Sequence, residues 1–156
     1  MRQMIYLTIL AIGIGIAVPP AHSADLTGEW EGRFNCRFKK GRQIFLLSFP
    51  RAPAYFSHSG DEIRIGLFST RYDGRVYESQ ENPDRGTIGA EGCLNDGNTF
   101  SGFDDVVQMR FKKRRDTYLV RGTLTTVDSF DGPGRCSFMF RRINTVDPNS
   151  PDCNPP

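Results

Sequence analysis

Apolar and polar residues alternate strictly from Trp30 to Phe38. Trp30, Gly32, Phe34, Cys36 and Phe38 fall on one face, and Glu31, Arg33, Asn35 and Arg37 on the other. A period of two is the mark of a half-buried β-strand, because successive side chains point to opposite sides of a sheet. The pattern recurs at Ile63, Ile65 and Leu67, at Val107, Met109 and Phe111, and at Tyr118, Val120, Gly122 and Leu124. It returns at Cys136, Phe138 and Phe140. Residues 43–49 (QIFLLSF) are apolar on both faces, with Phe45, Leu47 and Phe49 the expected core set. Weaker strands are expected over 75–79 and 86–93.

Turn formers fall between these segments: Lys40-Gly41, Ser59-Gly60-Asp61, Asp73-Gly74, Asn95-Asp96-Gly97-Asn98 and Asp131-Gly132-Pro133-Gly134. Such residues tolerate positive φ or start turns. About eight strands at hairpin spacing predict an all-β domain, a small antiparallel barrel or barrel-like sandwich, over residues 24–146. The tail 147–156 (DPNSPDCNPP) has four prolines in ten residues and is expected to be irregular.

The start of the chain reads as a secretory signal peptide, residues 1–23. Arg2 supplies a positive n-region, Met4–Val18 an uncharged apolar stretch, and Pro19-Pro20 a break. Ala21 and Ser23 place small residues for cleavage between Ser23 and Ala24. Fifteen apolar residues fall short of the ~20 that span a bilayer. The mature form is therefore expected to be periplasmic or secreted, without a membrane span.

Export gives the cysteines a meaning. Cys36, Cys93, Cys136 and Cys153 are even in number, and an oxidising compartment favours two disulfides. Cys36 and Cys136 share the apolar face of an early and a late strand. In a closed barrel of even strand number those strands are antiparallel neighbours, so a Cys36–Cys136 bridge would lock the closure and leave Cys93 for Cys153. A zinc site lacks ligands, since no CxxC exists and His58 is the one histidine after residue 23. Neither a metal nor a cofactor is expected. The segment 1–23 carries Arg2 and no acid, so residues 24–156 hold 19 basic and 18 acidic side chains. That balance argues against a dedicated nucleic-acid binder.

Gly28-Glu29-Trp30, within LTGEWEGRF, resembles the opening strand of lipocalin-like and avidin-like barrels. That resemblance implies an eight-stranded barrel closed over a ligand cavity, with Arg141 or Arg142 packing across Trp30. It covers about a tenth of the chain and carries over no ligand residues. Ser101-Gly102-Phe103 resembles the Ser-Gly loop of small periplasmic lysozyme inhibitors, without the surrounding aromatic-basic pattern. The Gly-x-Trp-x-Gly start and the late Cys136–Arg142 segment are also similar to small exported bacterial proteins of unassigned function.

Several candidate features stand beside plainer explanations. Trp30 can floor a ligand cavity or simply plug one end of the core. Lys112, Lys113, Arg114 and Arg115 form a charge run at an expected hairpin tip, suited to an acidic partner or to a solvated turn. Arg37, Lys39, Lys40 and Arg42 form a second basic turn. His58 lies in Ser57-His58-Ser59-Gly60-Asp61, yet adjacency does not make a triad and no Gly-x-Ser-x-Gly elbow exists. Asp104-Asp105 and Asn95–Asn98 offer oxygen ligands but lack the spacing of an EF-hand.

The expected function is that of a non-enzymatic extracytoplasmic binding protein. Its partner would be a macromolecule met by loops such as 112–115 (a protein or an envelope component). The alternatives are a lipocalin-like carrier of a small apolar ligand and a hydrolase using His58. Trp30, Phe34, Phe38, Phe138 and Phe140 all point inward on two strands, enough to fill a small barrel, which favours the loop version.

Overall fold

A computed structural model describes residues 24–68, 70–92, 105–126 and 133–146. Among them are eight strands: β1 (Gly28–Lys40), β2 (Gln43–Ser59), β3 (Glu62–Leu67), β4 (Thr70–Glu78), β5 (Arg85–Gly92), β6 (Val106–Arg114), β7 (Thr117–Thr126) and β8 (Gly134–Arg142). Each pairs antiparallel with the next, and β8 returns to β1, so the sheet closes into a barrel. No helix among the described residues is long and apolar enough to cross a membrane.

Closure follows from the alternation. Inward residues of every strand meet in one core that includes Trp30, Phe56, Ile65, Val107, Val120 and Phe140. The lower half of the interior is filled by rings. Trp30 stacks on Phe56 with centroids 4.7 Å apart, and Phe138 lies 5.9 Å from Phe34 and 5.2 Å from Phe140. Gly28 opens β1 at φ 139°, and any Cβ there would strike the Asn144 carbonyl, which explains the glycine two residues before Trp30.

The seam between β1 and β8 runs from Trp30↔Arg142 to Phe38↔Gly134. Cys36 and Cys136 are direct partners in it and form a disulfide, the pairing that face parity predicted. Cys93 and Cys153 lie outside the described residues, as do segments 1–23 and 147–156, Asn95–Asn98, Asp104 and Ser101-Gly102-Phe103.

Two elements depart from expectation. Asp73-Gly74, expected as a turn, lies inside β4, where Gly74 is paired with Ile63 and Ala90 and any Cβ on it would strike the Gly89 carbonyl. The larger departure is β2. β2 runs to Ser59, ten residues past the apolar stretch, and contains Pro50 and Pro53. Its register against β1 shifts between Gly32↔Ala52 and Phe34↔Phe49, so β2 has one extra residue there, a β-bulge. The bulge reverses inward parity. Phe45, Leu47 and Phe49 are the partners of inward β1 residues above it, and Ala52, Ala54 and Phe56 below it. Only the second set is buried. Phe45, Leu47 and Phe49 are 38%, 43% and 39% exposed rather than core, and Leu47 and Phe49 form the wall of an opening.

The cause is the length of β3. It pairs with β2 only from Ala54↔Leu67 to Ser59↔Glu62, leaving 43–53 with one unpaired edge. Backbone direction explains why pairing stops there. The Lys39 N–H donates to the Pro133 carbonyl at 3.0 Å, so odd β1 residues bond across the β8 seam and even ones toward β2. By the β2 register, Ile44, Leu46, Ser48, Pro50 and Pro53 then turn their backbones to the open side. Neither proline has an N–H to offer, so the ladder ends beside them.

Candidate functional site

The open upper half of β2 faces the turn between β3 and β4, and between them lies a cavity of about 300 Å³. Phe34, Phe38, Leu47, Phe49, Leu67, Phe68 and the Cys36–Cys136 disulfide give it an apolar wall. Its polar groups are Thr70, Tyr72, Asp105 and Thr126. It opens at the upper end of the barrel, where the β1–β2 and β3–β4 turns sit.

Phe68 is the unusual residue of this mouth. It adopts φ 55°, a left-handed backbone that bulky side chains avoid. Its ring is nevertheless half-exposed, 5.1 Å edge-on from Phe34 and 5.0 Å from Phe49. Glycine would relieve the backbone, yet a large aromatic occupies the position. Backbone strain beside a cavity is a common companion of binding sites.

The polar groups are incompletely satisfied. The Tyr72 hydroxyl donates to Asp105 Oδ2 at 3.2 Å. Burial, followed by the Asp105 charge, pushes the Tyr72 pKa upward and keeps it a donor. Asp105 Oδ1 and Thr126 Oγ1 are buried without a hydrogen-bond partner among the described residues. A buried polar atom left unpaired costs about 1–3 kcal/mol, so the mouth is poised to accept a hydrogen bond from a bound group.

Of the residues singled out by sequence, Cys36, Cys136 and Asp105 line the mouth, and the tryptophan, the histidine and the basic runs lie elsewhere. Trp30 is 1% exposed and its indole N–H donates to the Leu26 carbonyl at 3.2 Å, so it plugs the lower end and does not line the cavity. Arg142, its cross-strand partner, donates to the Asp25 carbonyl at 2.6 Å and lies 5.0 Å over the ring of Tyr118. Arg141 faces outward. The run 112–115 occupies the lower β6–β7 hairpin, whereas Arg37, Lys39, Lys40 and Arg42 sit at the upper end, so the two basic segments are at opposite poles. Lys113 pairs with Asp84 at 3.6 Å, and Arg115 takes the turn at φ 56°.

His58 holds the segment before β1. Its Nδ1 accepts from the Leu26 N–H at 3.4 Å, and its own N–H donates to Thr27 Oγ1 at 3.1 Å. Among the described residues no serine or carboxylate bonds to its ring. Nor does any group of three or more His, Cys, Asp or Glu there form a metal cluster.

Sequence reasoning missed Phe68, Tyr72 and Thr126, and singled out Asp105 only as an oxygen ligand for a cation; the four come from separate segments. One signal was available: QIFLLSF is apolar on both faces, more than a strand with one buried side requires. No family model, curated protein or solved structure matches the chain.

Proposed function

We propose that this is a non-enzymatic extracytoplasmic binding protein whose upper mouth takes an apolar ligand ending in a hydrogen-bond donor. The observation that carries the reading is the conjunction of half-exposed Phe49 and Phe68 with the unpartnered Asp105 Oδ1 and Thr126 Oγ1 in one cavity. Fully burying an aromatic or leucine side chain contributes about 1.5–3 kcal/mol, so covering Leu47, Phe49 and Phe68 supplies ample driving force. A volume of about 300 Å³ is at the small end for ligand sites.

The mouth differs from an enclosed lipocalin-type chamber, because rings fill the barrel below it. It suits one chain or ring held partly inside, with the remainder against the open edge of β2. The acceptor character of Asp105 Oδ1 favours an alcohol, amide or amine head and disfavours a carboxylate. Native mass spectrometry of the protein purified from an envelope extract tests this. A retained lipophile, lost in Phe49→Asp, supports the reading, and a clean apo mass after exposure to a lipid extract opposes it.

A further inference from the structure

Strand register assembles a second surface, on the outside of the barrel and independent of the mouth. Outward residues of β1, β8, β7, β6 and β5 align in continuous rows. Arg33, Met139, Arg121, Arg110 and Thr87 form one row, and Arg37, Arg135, Thr125, Val106 and Glu91 another. Between them runs a row of small polar residues: Asn35, Ser137, Thr123, Gln108 and Gly89. The row below runs Glu31, Arg141, Leu119, Lys112 and Arg85.

Eight of these twenty outward positions are basic and two are acidic, although the whole chain is close to neutral. Three like-charged pairs sit directly opposite each other, Arg37↔Arg135, Arg110↔Arg121 and Arg85↔Lys112. Like charges in that position destabilise a sheet. Arg33, Arg110, Arg121, Arg135 and Arg141 make no ion pair among the described residues. Shallow clefts flank Arg121 on both sides, one reaching Gln108 and Tyr77 and the other Asn35 and Ser137.

We propose that this face binds an acidic polysaccharide, laid across the strands along the amide and hydroxyl row and held by the arginines on either side. Guanidinium groups bind carboxylates in bidentate fashion, and the uncharged row offers donors and acceptors to sugar hydroxyls. Neighbouring strands are about 4.8 Å apart, so five of them give a track of roughly 19 Å that curves with the barrel. A flexible chain follows that curve better than a flat membrane does. Tyr77 is the one exposed aromatic at the clefts, too few for the stacking platform that single-stranded nucleic acid uses. A protein partner would need clustered large apolar anchors, whereas the exposed Met139 and Val106 stand in different rows.

Calorimetric titration of the mature protein with polygalacturonate tests this, beside neutral dextran, an oligothymidylate and phosphatidylglycerol vesicles. Binding to polygalacturonate is expected at 50 mM NaCl, at least tenfold weaker at 300 mM, with none to dextran. The R110Q/R121Q double variant should bind at least tenfold more weakly yet melt no lower than wild type, because it removes a repulsion. Arg114→Gln, at the hairpin tip, should bind as wild type. Absent polygalacturonate binding, equal weakening in Arg114→Gln, or tighter binding to the oligonucleotide or vesicles would overturn the proposal. Occupation of the upper mouth changes none of these outcomes.

Discussion

Cys36 on β1 and Cys136 on β8 face each other across the barrel seam with Cα atoms 3.9 Å apart and a sequence separation of 100. A crosslink of that span restricts the unfolded chain strongly, by about 4–5 kcal/mol in the loop-entropy estimate. The C36A/C136A variant should therefore lose about 3–5 kcal/mol in urea unfolding. An unchanged midpoint would show that the β1–β8 ladder closes the barrel unaided.

The strained Phe68 separates stability from binding. Phe68→Gly relieves the left-handed backbone by about 1–2 kcal/mol and gives up a half-exposed ring, so net stability should change by less than about 1 kcal/mol. Binding of N-phenyl-1-naphthylamine, an apolar fluorophore bearing an N–H donor, should fall by tenfold or more. Unaltered fluorescence enhancement would remove Phe68 from the site.

Much of the fold was legible because a two-residue period survives in a single sequence. β1, β3, β6, β7 and β8 were readable from it, and the face parity of Cys36 and Cys136 predicted their bridge. The mouth was not legible, for a physical reason. Whether Phe45, Leu47 and Phe49 are core or rim depends on how far β3 extends beside them, and β3 stops at Leu67. The bulge beside Pro50 also switches the inward residues from odd to even, hiding the continuation of β2 from a period count. The basic face escaped notice similarly, since Arg33, Arg121 and Arg110 meet only through the register of four strands.

Alkaline titration should weaken the fold. Burial first, then the hydrogen bond to Asp84, pushes the Tyr118 pKa up to about 12, and burial likewise raises that of Tyr72. Below pH ~10, the ordinary tyrosine value, both folded and unfolded chains keep these protons and the stabilisation is fully present. Above it the unfolded chain ionises first and binds fewer protons, so stability falls and the contribution is lost through about pH 12. Urea midpoints at pH 8, 10 and 11.5 should decline, and Tyr118→Phe should flatten that decline. A flat wild-type profile would contradict the burial of both hydroxyls.

Processing at the predicted cleavage point would give Ala24 a terminal ammonium. Its backbone nitrogen already donates to Glu78 Oε1 at 2.6 Å, and Ala24 is 2% exposed. Charge on the donor strengthens such a bond, so Glu78→Gln should destabilise the processed protein by about 1.5–3 kcal/mol. The effect should be smaller in a form extended before Ala24. Equal losses in the two forms would argue against a role for the new terminus, and Edman sequencing of the protein recovered from its host tests whether it begins at Ala24.

The binding reading rests on the mouth formed by Phe49, Phe68, Tyr72, Asp105 and Thr126. A titration of the 15N-labelled protein, followed by amide shifts, examines it residue by residue. With decanol, shifts should concentrate at Leu47, Phe49, Phe68, Tyr72, Asp105 and Thr126 and spare Trp30 and His58. Decanoate at pH 8 should produce the same pattern only at tenfold or greater concentration. Shifts scattered over the outer face, or a stronger response to decanoate than to decanol, would contradict the account.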